Sequence, residues 1–152
     1  MLLLCVFACK KAKGPANGKS VQPKNNVDST VSVSAIINGS GWQTDSAYGY
    51  NVKHSGNDSG VSDLMITATS TDKKTNVVST ITFNISNYSG PREYKITPPY
   101  NTATYYIGNM RHFALLGSFV VATDTAYALR GSFSFVADTF TVSQGVFDVA
   151  LP

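Results

Sequence analysis

The chain is poor in cysteine, histidine, glutamate and charge, and each shortage closes off a class of chemistry. Its two cysteines, Cys5 and Cys9, both fall within the first nine residues. Everything downstream lacks a thiol for a disulfide, a cysteine metal site or a thiolate nucleophile. Only two histidines occur, His54 and His112, with no His-x-His spacing, so no metal site is expected. Glu93 is the single glutamate, and most aspartates lie in predicted turns, which leaves no evident carboxylate pair for glycosidase chemistry. There is no Gly-x-Ser-x-Gly nucleophile elbow. These gaps point away from an enzyme and from a bound cofactor. The opening apolar run, Leu2 to Ala8, is seven residues, far short of the roughly 20 that a membrane-spanning helix needs.

Charge is scarce and unevenly placed. Charged residues make up 14% of the chain, and Lys10, Lys11, Lys13, Lys19 and Lys24 all precede the first acid, Asp28. From Val31 onward there are seven basic and eight acidic residues, so the net +3 belongs to the tail. The remainder carries no electrostatic footprint for nucleic acid.

The run Leu2 to Ala8, followed by Cys9 and Lys10-Lys11, resembles the end of a bacterial lipoprotein signal peptide. Val6 supplies the aliphatic residue three before the cysteine and Ala8 the small one directly before it, while Phe7 is a bulky departure. Residues 1–8 are therefore expected to be the end of a signal peptide whose charged segment lies upstream, and Cys9 the lipidated mature N-terminus. Residues 9–30, with Gly14, Pro15, Gly18 and Pro23, read as a flexible linker, and 31–152 as one β-domain. Lipidation would tether the domain to a membrane without an apolar patch of its own. The lysines after Cys9 can meet anionic headgroups.

Val, Thr, Ile, Phe and Tyr recur with period two from residue 31 on, broken by Gly, Asn, Asp and Pro, and no window carries a 3.6-residue period. The fold class is all-β. The pattern predicts a single antiparallel β-sandwich of about eight or nine strands with a C-terminal meander, or alternatively a partly closed β-barrel. Strands are expected near 31–37, 48–53, 61–70, 77–88, 93–97, 102–107, 112–123, 126–136 and 140–150. The segment Asn38 to Gly41 reads as a turn and Trp42 after it as a core plug.

The C-terminal third contains a repeat. Gly117-Ser118-Phe119, Gly131-Ser132-Phe133 and Gly145-Val146-Phe147 recur every 14 residues, with Asp124-Thr125 and Asp138-Thr139 between them at the same spacing. With those pairs in the turns, the three glycines would lie nearly side by side across adjacent strands and let the sheet bend. Odd positions from Phe113 to Val149, including Leu115, Phe119, Tyr127 and Phe133, are apolar and are expected to face the core. A two-residue hairpin would invert that parity between strands, so odd-length loops or a bulge at each turn are predicted.

The opening Ala35-Ile36-Ile37-Asn38-Gly39 with Trp42, the element Gly90 to Tyr94, and the ending Gly131 to Phe135 followed by Gly145 to Val149 carry a family resemblance. The chain resembles small, uncharacterised Bacteroidetes-type lipoproteins with a single C-terminal β-domain. This implies a lipid-anchored cell-envelope protein of the outer membrane, on its periplasmic or surface side, with a sandwich-like fold. It supplies no catalytic residues. Surface-exported lipoproteins of this kind carry acidic residues after the lipidated cysteine, where Lys10 and Lys11 stand here.

Two residue groups are candidates for function. Tyr94, Tyr100, Tyr105 and Tyr106, with Arg111, cluster around a segment broken by Gly90-Pro91 and Pro98-Pro99. Tyrosines on a Pro-stiffened loop can stack on sugars or anchor a protein partner at low entropic cost. Five of the eight aspartates precede Ser or Thr, and Ser29, Ser46 and Thr125 match the Asp-Ser/Thr O-glycosylation pattern of Bacteroidetes envelope proteins. Turn chemistry produces the same dipeptide. The expectation is a non-enzymatic, membrane-tethered module that binds a glycan, peptide or partner protein, or else an accessory subunit of an envelope complex.

Overall fold

Asn38 and Gly39 both take positive φ, 48° and 81°, the geometry of a two-residue hairpin whose twist matches its strands. The turn is therefore two residues long, and Ser40 and Gly41, expected in the turn, instead open the strand Ser40–Gln43. The computed structural model describes residues 31–53 and 62–151. It contains ten strands and, among the described residues, no helix: β1 (Ser32–Ile37), β2 (Ser40–Gln43), β3 (Ser46–Lys53), β4 (Ser62–Thr71), β5 (Val78–Tyr88), β6 (Glu93–Lys95), β7 (Asn101–Ile107), β8 (Met110–Asp124), β9 (Ala128–Ala137) and β10 (Phe140–Ala150). Cys9 and Ser29 lie outside the described residues.

All ten strands belong to one antiparallel sheet in the order β2-β1-β10-β9-β8-β7-β5-β4-β3, with β6 paired to β8 off that path. The two ends of this order are consecutive in the chain, joined only by Thr44 and Asp45. Thr44 donates its N–H to Val33 of β1 (2.9 Å), and Asp45 donates its own to Thr69 of β4 (2.8 Å). The corner thus holds both margins of the sheet and curls it into a partly closed barrel. β8 makes the other corner: Met110 to Phe113 pair with β7, and Ala114 to Asp124 with β9.

The two halves meet face to face through aromatic rings. Phe83 of β5 lies 4.8 Å from Phe119 of β8 and 4.9 Å from Phe133 of β9, and Phe119 stacks on Phe147 of β10 at 4.7 Å. Leu64, Ile66, Ile81, Ile85, Leu129 and Val149 complete the buried centre. Burial of this apolar surface is the main force that keeps the sheet curled.

The parity prediction holds in the middle of the meander and fails at its start. Phe119 and Phe133 are direct cross-strand partners on one buried face, as expected. Phe113 and Leu115 face outward instead, because the pairing of β8 with β9 slips between Ala114 and Leu116. Ala114 before the bulge and Phe119 after it both point inward, so the inward set changes from even to odd. β10 does the same: Val142 is buried before a slip at Ser143-Gln144, and Phe147 and Val149 after it. Gln144 sits there at φ 50°. Tyr127 is exposed because it lies in the three-residue loop between β8 and β9.

The glycines are also placed differently. They are not side by side; Gly117 pairs with Phe135, Gly131 with Val121 and Phe147, and Gly145 with Phe133. The first turn centres beyond Asp124-Thr125, which staggers the set. Each glycine thus lies opposite a phenylalanine, and rings of Phe147 and Phe133 occupy the space that a Cβ at Gly131 and Gly145 would take. Glycine here lets an aromatic ring lie down on the neighbouring strand.

Candidate functional site

Inward-facing residues at one end of the barrel are small or polar rather than bulky. Ser70 continues the inward set Leu64, Ile66 and Ala68 on β4, and Ser79 precedes Ile81 and Phe83 on β5. The core therefore opens there into a cleft of about 460 Å³, bordered by Trp42, Gln43, Ser70, Asp72, Ser79 and Tyr105. That volume lies in the range of about 300–1,000 Å³ usual for small-molecule sites, and barrel mouths are a recurrent location for them.

Trp42 comes from the edge strand β2 and donates its indole N–H to Ser79 Oγ on β5 at 2.8 Å. The bond crosses from one margin of the sheet to the facing half and holds the ring at the cleft. Tyr105 on β7 packs edge-on against Phe140 at 5.2 Å, which in turn lies 4.6 Å from His112. The rim is set by the hairpin between β4 and β5. Asp72 accepts the backbone N–H groups of Lys74 (2.7 Å) and Thr75 (3.2 Å) on one carboxylate oxygen, and its own N–H reaches Val77 (3.0 Å). Those two N–H groups, the Lys74 one foremost, hold the Asp72 carboxyl below its ordinary pKa. The rim thus presents a fixed carboxylate, and among the described residues no Lys or Arg side chain borders the cleft.

His112 Nδ1 lies 3.0 Å from Asp138 Oδ2, and its Nε2 is buried with no hydrogen-bond partner. Among the described residues, no nucleophile stands within hydrogen-bond reach of Nε2. No group of three or more His, Cys, Asp or Glu suited to a metal ion occurs among the described residues.

The five residues singled out from the sequence do not form one site. Tyr94 is 2% exposed and Tyr105 6%. The Tyr94 hydroxyl donates to the Gly90 carbonyl at 2.8 Å and accepts the Ser89 N–H at 3.0 Å, pinning the Gly90-Pro91 turn to β6. Tyr94 is a structural anchor, and Tyr105 reaches the surface only at the floor of the mouth. Tyr100 is 69% exposed but stands at the opposite end of β7 from Tyr106, about 20 Å away along the strand. Tyr106 and Arg111 do come together: they are cross-strand partners, and the guanidinium lies over the Tyr106 ring at 5.7 Å and the Phe113 ring at 4.0 Å. Of the Asp-Ser/Thr positions, Thr125 uses its hydroxyl inside the β8–β9 loop, bonding Ala128 N–H at 3.0 Å and its carbonyl at 3.1 Å. Ser46 is exposed at the start of β3.

Two phenols carry a pH dependence. Tyr88 stacks on Tyr94 at 5.6 Å and donates to Asp124 Oδ2 at 2.7 Å. Burial first, and then the hydrogen bond to Asp124, raise its pKa well above the ordinary phenol value. Burial also raises Tyr105, against a smaller opposing effect of the Ser79 hydroxyl. Both native pKa values exceed the unfolded value of about 10, so the stability they contribute is complete below that pH and is lost above it. Unfolding free energy is expected to fall with pH once the unfolded chain ionises, by up to about 1.4 kcal/mol per pH unit for Tyr88, with Tyr105 adding in the same direction. Urea midpoints measured from about pH 9 to 11.5 check this, and Tyr88→Phe should flatten the slope. Equal slopes in the two proteins would contradict the assignment.

The chain matches no protein-family model, no curated protein and no solved structure.

Proposed function

We propose that the chain is a non-enzymatic binding module, tethered to the cell envelope through a lipidated Cys9, whose barrel mouth takes up the end of a glycan. The observation that supports this reading most is the makeup of the mouth: the Trp42 indole fixed at one side, Tyr105 at the floor, and hydroxyl, amide and carboxylate groups around them. A pyranose offers the complement, apolar C–H faces for the indole and hydroxyls for Gln43, Thr75 and Asp72. Convergent polar groups on an apolar, largely preformed cleft are the usual makeup of such sites. Among the described residues, the charged group that borders the mouth is the Asp72 carboxylate, which repels an anionic ligand. The likeness to Bacteroidetes-type lipoproteins supports the address, and the outer membrane is the destination proposed.

Trp42 is the only tryptophan of the chain, so its emission reports on the mouth directly. Titration with a panel of neutral mono- and disaccharides is expected to shift and quench that emission saturably for at least one sugar. Gln43→Ala should weaken binding about tenfold, the loss of one good hydrogen bond. A flat emission across the panel would remove the mouth as a sugar site. For the anchor, radiolabelled palmitate should enter the wild type and not Cys9→Ala.

One observation favours the accessory-subunit reading. Leu115 is 67% exposed, and Phe113 and Leu116 are exposed beside it on β8, an apolar stripe of the kind that partner surfaces cover. Crosslinking in envelopes should then capture a fixed partner that Leu116→Asp releases.

A further inference from the structure

Three Thr-x-Thr motifs, Thr67-Ala68-Thr69, Thr80-Ile81-Thr82 and Thr102-Ala103-Thr104, fall on three neighbouring strands, β4, β5 and β7. The residue between each pair, Ala68, Ile81 or Ala103, is buried, so the six threonines alternate to the outer face; Thr104 is covered there (5% exposed), and the other five are half-buried. Strand pairing aligns them. One cross-strand row reads Tyr48, Thr67, Thr82, Thr104, Phe113, and the next Ser46, Thr69, Thr80, Tyr106, Arg111. Thr69 and Thr80 hydroxyls lie 3.2 Å apart, in hydrogen-bond contact. The bulk is on the flanks: Tyr48 and Tyr50 lie 6.2 Å apart and nearly parallel on β3, and Tyr106, Arg111 and Phe113 stack on the other side. The flanking strands β3 and β8 are about 19 Å apart, four strand spacings.

We propose that this outer face is a docking surface for a linear, uncharged polysaccharide, lying across the strands from Tyr48 over Thr67 and Thr82 toward Phe113. Charge and polarity select that occupant. The two rows contain one charge, Arg111, and its guanidinium is held over two rings, which leaves nothing to bind a phosphate backbone. The floor is hydroxyl-bearing rather than apolar, unlike the centre of a protein interface or a membrane-inserting surface. A neutral glycan chain brings its own periodic hydroxyls to a periodic hydroxyl floor. It also brings apolar ring faces to Tyr48, which is 56% exposed. The face is separate from the mouth, whose residues point inward, and the proposal holds whether or not the mouth binds a sugar.

Native affinity electrophoresis of the full chain tests it, in gels containing hydroxyethylcellulose, xyloglucan or galactomannan, with alginate as the anionic control. At least one neutral polymer should cut mobility to half or less, and alginate should not. The isosteric pair Thr67→Val with Thr82→Val keeps the β-branched shape and should restore free mobility, while Tyr48→Ala should lose at least half of the retardation. Tyr127→Ala, an exposed ring in the β8–β9 loop that belongs to neither row nor the mouth, should migrate as wild type. Free mobility of the wild type in all three neutral gels overturns the proposal, as does full retardation of both the valine pair and Tyr48→Ala. Should the valine pair fail to fold by circular dichroism, the change at the exposed sheet margin, Tyr48→Ala, decides alone. A concentration-dependent dimer in sedimentation velocity that Tyr48→Ala dissolves would give the face to a second copy of the chain and overturn it too.

Discussion

Replacing Gly131 with alanine is expected to lower the unfolding free energy by on the order of 3 kcal/mol, at the upper end of overpacking effects. A Cβ built there collides with the Val120 carbonyl oxygen and comes 2.5 Å from Phe147 Cζ. Neither neighbour can step aside cheaply. Val120 is held in β8 between β9, where it pairs with Ser132, and β6, where it pairs with Glu93. The Phe147 ring is held by its parallel stack on Phe119. Gly145 is the instructive contrast, because all three of its nearest atoms belong to the Phe133 ring, with Cζ at 2.6 Å. A ring can be shortened, so Phe133→Leu should partly offset Gly145→Ala, giving a coupling of opposite sign to the two single losses. No side-chain change should offset Gly131→Ala. Urea denaturation of the five proteins measures this. A cost below about 1 kcal/mol for Gly131→Ala would mean that β8 yields more easily than its pairing implies.

The fold class and the core were largely legible because period-two patterning reports burial directly. Leu64, Ile66 and Ala68 alternate with Met65, Thr67 and Thr69, and the structure buries the first set. Bulges were not legible at their positions, because they arise from backbone pairing rather than residue type; nothing about Leu115 or Gln144 marks them as the extra residues. The strands separate the tyrosines that lie close in sequence. Tyr94 stands between Glu93 and Lys95, and Tyr105 falls in the inward set with Ala103, so parity already assigned both to the interior. Proximity in sequence was the wrong guide, since Tyr100 stands just before β7 and Tyr106 near its far end. The mouth was hidden for a different reason: Trp42, Ser70, Ser79 and Tyr105 come from four strands, and the jump from β5 to β7 past β6 together with the curl of the sheet that carries β2 over β5 brings them together. The Thr-x-Thr motifs were visible one by one, but their alignment depends on that same jump.

Phe83→Ala is expected to be the costliest single truncation, about 3–5 kcal/mol, a large share of the 5–15 kcal/mol that typically holds a domain together. The ring sits where the curled sheet meets itself. It touches Phe119 and Phe133 at 4.8 and 4.9 Å and stands edge-on to Phe135 at 5.8 Å, linking β5 to both β8 and β9 across the core. Its removal loses transfer free energy, the added attraction of tilted and edge-on ring pairs, and the packing of a cavity that the surrounding hydrogen-bonded strands cannot collapse. Phe83→Leu keeps most of the volume and should cost less than half as much. The cavity should be dry and apolar, so benzene is expected to raise the melting temperature of Phe83→Ala and leave the wild type unchanged. Trp42 emission in the native state should stay as in the wild type, because its anchor, Ser79, lies four residues along β5, about 14 Å away. A loss of Trp42 sugar response in a Phe83→Ala protein that remains folded would show instead that the mouth depends on the aromatic centre for its shape, and that the two ends of the barrel act as one unit.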